Sequence, residues 1–146
     1  MKRKGKKVEE ITTKIILFFK KHKDVAAVFL FGSFGTEYQT EYSDIDLGIL
    51  FLPDTKVGLK EELELDAALS LALGTNKIDL VNLNKTPIQL CYRAITDGDL
   101  IYEGDYVATS NFLEKTYRNY LDYAYDLKVF EQERSKALKE AYQNGR

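Results

Sequence analysis

The sequence predicts an α+β domain: a small mixed β-sheet with helices packed on one face and a long helical segment at the C-terminus. Three observations predict it. Short β-prone apolar runs recur at "VAAVFLF" (25–31), "DIDLGILF" (44–51) and "KIDLVNL" (77–83). Helical patterns precede the first run and separate the second from the third. From about Tyr106 to Tyr142 one long helical stretch follows, with one break expected near Lys128.

Residues 1–8 read as a basic flexible tail, because the first seven positions hold five basic side chains and a glycine. Such a tail is either a solvated terminus or a weak docking arm for an acidic partner or RNA. From Glu9 to Lys23, Ile11, Ile15, Phe18 and Phe19 recur at the spacing of one helix face. The first two strand runs follow, and Pro53-Asp54 then breaks the chain. Residues 58–73 read as an amphipathic helix on Leu59, Leu63 and Ala67, with Gly74 at the C-cap position. In the third run Ile78 and Leu80 share one face, while Asp79, Val81 and Leu83 share the other. Thr86-Pro87 suits the start of a short helix ending at Gly98, and "LIYEG" (100–104) a last short strand. Residues 9–104 thus form the core. Residues 105–146 form a helical segment packed on it within the same domain.

The 146 residues suffice for one domain with a real core. With a net charge of −2, strong nucleic-acid binding is not expected. No apolar run approaches the roughly 20 residues of a membrane span, and the N-terminus lacks the pattern of a secretory signal. The single cysteine, Cys91, lies in an apolar stretch, so a reduced cytoplasm is the expected setting.

The chemistry gathers around "FLFGSFGTEYQTEYSDIDLGIL" (29–50). Asp44 and Asp46 stand two apart at the head of an apolar strand, so they project from one face roughly 6.5–7 Å apart. Buried carboxylates that close repel each other unless a cation joins them. Mg²⁺ suits the pair, since it prefers oxygen ligands and is commonly held by one or two carboxylates plus substrate phosphates. Asp79, flanked by apolar residues in another strand, is a candidate third carboxylate. Three such groups could hold two metals about 3.5–4 Å apart, as in-line phosphoryl displacement requires. Gly32-Ser33 ends the preceding strand, where a missing Cβ lets backbone N–H groups and a hydroxyl approach phosphate oxygens.

Gly32-Ser33, ten residues, then Asp44-Ile45-Asp46 resembles the G-S-x₁₀-D-x-D signature of the DNA polymerase β-like nucleotidyltransferase superfamily. Its length and "SDIDLGIL" are similar to the minimal (MNT) branch, the antitoxins of HEPN/MNT toxin–antitoxin pairs. The resemblance covers about residues 25–104 and includes "KIDLVNLN" and "LCYRAITDGDLIYEGD". It implies a nucleotidyltransferase fold. It also implies that Gly32 and Ser33 bind nucleotide phosphate, that Asp44 and Asp46 carry Mg²⁺, and that Asp79 helps bind metal and activate the attacking hydroxyl. The implied reaction transfers AMP from ATP to a hydroxyl, a tyrosine of a partner HEPN ribonuclease toxin, which would silence the toxin. A hetero-oligomer with that toxin is implied too. Many relatives read G-S-x-A-R-G, whereas here Thr36 stands where the basic residue is expected and Glu37 replaces a glycine. Arg93, or a lysine from the tail or a partner, is a candidate substitute. A second reading stays open: an inactive nucleotidyltransferase-like module that neutralises the toxin by contact alone.

Other chemistries find little support. One histidine, His22, lies in "KKHKD", expected in solvent, and there is no P-loop. Phe112, Tyr117, Tyr120, Tyr123, Tyr125 and Phe130 in the last helix read mainly as packing, with room for a partner surface on a second face.

Overall fold

The computed structural model describes residues 3, 5–40 and 44–144. Helix α1 (Lys6–Phe19) leads into strand β1 (Val25–Phe31), which is followed by β2 (Ile45–Phe51) and α2 (Leu59–Leu73). Then come β3 (Ile78–Asn82), a 3₁₀ turn (Leu83–Lys85), α3 (Ile88–Thr96), β4 (Asp99–Glu103) and α4 (Tyr106–Asn144). The sheet order is β3-β2-β1-β4. β1 pairs antiparallel with β2 and β4, whereas β2 and β3 run parallel, joined through α2. The mixed sheet and the long C-terminal helix are therefore as expected.

The helices, however, cover both faces of the sheet rather than one. Val28, Leu30, Leu47 and Ile49 meet Ile15 and Phe19 of α1 and Leu69 and Leu73 of α2. On the other face Ala27, Phe29 and Leu50 meet Cys91 and Ala94 of α3, with Phe112 and Leu113 of α4 beside them. The cause is the central strand: Val25 to Leu30 are all buried, so a single helical layer would leave half of β1 in water. Ala26 also receives the start of α4. Its carbonyl accepts from the Gly104 N–H at 2.7 Å and from the Thr109 hydroxyl at 3.3 Å. Asp105 caps α4, its Oδ1 accepting from the Ala108 N–H at 2.8 Å.

Four boundaries or faces differ from expectation. α1 starts at Lys6, not Glu9, and ends at Phe19, so the tail is shorter than residues 1–8; residues 1, 2 and 4 of that tail lie outside the described residues. The buried face of α2 is Leu69 and Leu73, with Leu65 packed beside them, while Leu59 and Leu63 are exposed. Six leucines on that helix make more than one apolar stripe, and tertiary packing chooses among them. α4 passes through Lys128 unbroken, and from Glu131 to Asn144 it is exposed throughout, projecting past the sheet. His22 is half-buried rather than solvated, stacked on Phe18 at 4.5 Å with Nδ1 3.0 Å from the Phe18 carbonyl oxygen. Among the described residues no helix is long and apolar enough to cross a membrane.

Candidate functional site

β1 ends against the head of β2, and that junction builds the site. Phe31 pairs with Asp46 in the antiparallel ladder, so the Asp46 side chain stands beside Gly32. Gly32 has φ 77, a left-handed conformation that disfavours a Cβ. Any Cβ there would also lie 2.1 Å from Asp46 Oδ2. The glycine thus serves the turn and leaves a cradle for the carboxylate.

Asp79 pairs with Asp46 in the parallel β2–β3 ladder, and Ile45 pairs with Ile78. Paired residues of adjacent strands project from one face, roughly 4.8 Å apart at the backbone. Asp46 and Asp79 therefore share the α3/α4 side of the sheet, while Ile45 and Ile78 enter the α1/α2 side. Asp44 lies two residues before Asp46, exposed and just ahead of β2. Burial first, and then the negative charges of Asp79 and Asp44, push the Asp46 carboxyl above its ordinary value; Arg3 opposes them. Asp44 and Asp79 thus both act electrostatically on Asp46. Among the described residues no three His, Cys, Asp or Glu side chains stand gathered tightly enough to hold a metal as they are. The donor set is all carboxylate oxygen, which fits a hard ion such as Mg²⁺.

The Gly32-Ser33 turn is bonded into a fixed shape. The Ser33 carbonyl accepts from the Thr36 N–H at 3.0 Å and from the Thr36 hydroxyl at 2.6 Å. Gln39 Oε1 accepts from the Gly35 N–H at 2.7 Å. Thr36, at the position where a basic residue is expected, is buried and braces the loop from inside, while Glu37 is exposed. A pocket of about 260 Å³ opens on this turn, lined by Phe31, Gly32, Ser33, Tyr38, Arg93 and Asp97. Arg93, the substitute considered from sequence, hence faces the same space as Ser33. A larger hollow of about 510 Å³ near His22 and Thr55 lies away from the three acids.

One residue at the site gave no signal in sequence. Arg3 belongs to a run of basic residues and looks like any of them, yet its guanidinium is seated against the Gly32-Ser33 turn. Nη1 donates to the Gly32 carbonyl at 3.0 Å and also to the Phe34 carbonyl, Nη2 donates to the Leu30 carbonyl at 3.1 Å, and Nε pairs with Asp99 at 3.0 Å. Cys91, by contrast, is a packing residue: burial pushes its thiol up, and Sγ faces the Leu83 and Thr86 carbonyls.

A family profile described as polymerase beta, nucleotidyltransferase matches residues 13–107. No curated protein sequence matches. Among solved structures, a chain of a toxin–antitoxin complex with AMP-PNP is 25% identical with a TM-score of 0.68, covering 84% of this chain and 96% of that one. A chain of the MntA–HepT toxin–antitoxin complex is 23% identical, with a TM-score of 0.65 and coverage of 86% and 97%. A third complex pairs a tri-AMPylated Shewanella oneidensis HEPN toxin with an MNT antitoxin; its matching chain is 24% identical, TM-score 0.64, covering 86% and 96%. At these identities the last two speak to the fold.

Proposed function

Because this chain belongs to the polymerase beta nucleotidyltransferase family, matched over residues 13–107, we propose that it transfers AMP from ATP to a tyrosine hydroxyl of a HEPN ribonuclease toxin and so acts as the antitoxin. Asp44, Asp46 and Asp79 hold Mg²⁺, and Gly32 and Ser33 receive the triphosphate. What supports the reading most is the register that sets Asp46 beside Gly32 and level with Asp79. One similar structure contains AMP-PNP and another an AMPylated HEPN toxin, in keeping with this chemistry.

The acceptor oxygen attacks the α-phosphorus, the bond from that phosphorus to its bridging oxygen breaks, and pyrophosphate leaves. The hydroxyl proton passes to the exposed Asp79 carboxylate. Asp44, Asp46 and Asp79 would hold Mg²⁺, which would supply charge neutralisation at the phosphates. Arg93, which lines the same pocket as Gly32 and Ser33, meets phosphate oxygens there.

The test is incubation of the full chain with labelled ATP, Mg²⁺ and a HEPN protein. Label on the HEPN protein that disappears with Asp44→Asn is the expected result. Tight binding and inhibition without label favour the second reading, a contact-only module. Thr36 favours that second reading, since it braces the loop where many relatives place a cation.

Either reading needs a partner surface, and α4 offers one. Phe112 packs near Phe29, and Tyr120 stacks on Tyr92 at 3.6 Å. The same side of the helix continues past the sheet with exposed Leu127, Phe130, Leu138 and Tyr142. We assign this extension to the toxin. Phe130→Ala is expected to weaken the complex about tenfold or more in calorimetry while leaving the melting temperature of the free chain unchanged.

A further inference from the structure

We propose that Arg3 is a positioning residue, a fork from the N-terminal segment that holds the Gly32–Phe34 backbone in its anion-receiving shape. The inference rests on the nucleotide reading for the identity of the anion. The fork itself rests on contacts outside the acidic cluster. One guanidinium reaches the carbonyls of Leu30, Gly32 and Phe34 and the Asp99 carboxylate. Its side chain is only 5% exposed, whereas that of Asp99 is 51% exposed. Five N–H donors in one rigid plane are what such a contact set needs, and a lysine ammonium has neither the number nor the geometry.

The consequence for the turn follows from peptide planarity. With the Gly32 carbonyl drawn toward Arg3, the trans peptide aims the Ser33 N–H to the opposite side. A peptide that flipped would present a carbonyl oxygen where a phosphate must approach. The segment interlocks with the turn sterically as well. Gly35 has φ 77, and a Cβ there would sit 2.5 Å from Val8 Cγ2 of α1 and 3.5 Å from Arg3 Cβ. Arg3 also brings a buried positive charge beside a turn in which Thr36, not a basic residue, fills the inside of the loop. Arg3 is in this respect part of the site.

Two measurements on the full chain decide it, with Arg3→Ala, Arg3→Lys and an Arg118→Ala control that removes an equal charge from the surface of α4. Amide hydrogen exchange over residues 31–36 is expected to quicken about tenfold or more in both Arg3 variants, with β2 and β3 amides and the control unchanged. The dissociation constant for Mg²⁺ with AMP-PNP is expected to rise about tenfold in both Arg3 variants. Unaltered exchange overturns the proposal, and so does quicker exchange with unaltered affinity. Full rescue by Arg3→Lys also overturns it, because charge alone would then suffice. If the unsubstituted protein binds no AMP-PNP, the nucleotide reading fails. The exchange rates then decide the clamp by themselves.

Discussion

Asp46→Asn is expected to leave a protein that is more stable without ligand and severely impaired in transfer. Asparagine keeps the shape and a carbonyl oxygen, so the change isolates charge. In the folded chain burial, then Asp79 and Asp44, hold the Asp46 carboxyl above its ordinary value of 3.8. A carboxyl whose folded pKa is raised binds its proton more tightly when folded. The stability that this confers is present below the unfolded pKa and is lost as pH rises through the folded one. At pH 7 the ionised Asp46 therefore opposes folding, and the asparagine variant should withstand more urea. The gap should close as pH falls from the raised folded value toward 3.8. Transfer of label should meanwhile drop by on the order of 10²–10³-fold. Mg²⁺ with AMP-PNP should raise the melting temperature of the unsubstituted chain and not of the variant. A variant that lost stability at pH 7 would instead make Asp46 a packing residue. Stability given up for a charged site is a common bargain in enzymes.

What could be read from the sequence divides along physical lines. β1 and β2 were legible because unbroken β-prone runs of seven or eight residues have few other uses. The shared face of Asp46 and Asp79 was legible in part. Strand alternation puts each aspartate opposite its apolar neighbours, but the parallel register that levels them comes from pairing. Which side each helix would cover was not legible, because Ala26, Ala27 and Phe29 state only that something packs there. The buried stripe of α2 was hidden by leucines on several faces, and Thr36 looked like a missing cation, not a brace. Arg3 was hidden for a different reason. Its contacts reach 27 to 96 residues along the chain, and no local pattern records them.

Gly32→Ala separates the geometry of the site from the stability of the fold. Left-handed backbone costs an ordinary residue about 1–2 kcal/mol, part of which the stiffer unfolded chain offsets. Gly74 supplies the comparison: it ends α2 with φ 70, and nothing lies within 4 Å of a Cβ placed there. The backbone conformation alone should thus cost either alanine variant about 1 kcal/mol in urea denaturation, with Gly32→Ala losing more through its contact with Asp46. At Gly32 the new Cβ would also meet Asp46, at 2.1 Å from Oδ2, 3.0 Å from Cγ and 3.3 Å from Cβ. Rotating the carboxylate relieves only the first of these contacts. The Asp46 side chain must swing off its face or β2 must draw back, and each movement breaks its alignment with Asp79. Gly32→Ala should therefore lose at least about 10²-fold in transfer, the scale expected when a group near the chemistry is displaced by about 1 Å. Gly74→Ala should retain full activity. Equal activity in the two variants would mean that the junction of β1 and β2 is not where the nucleotide reacts.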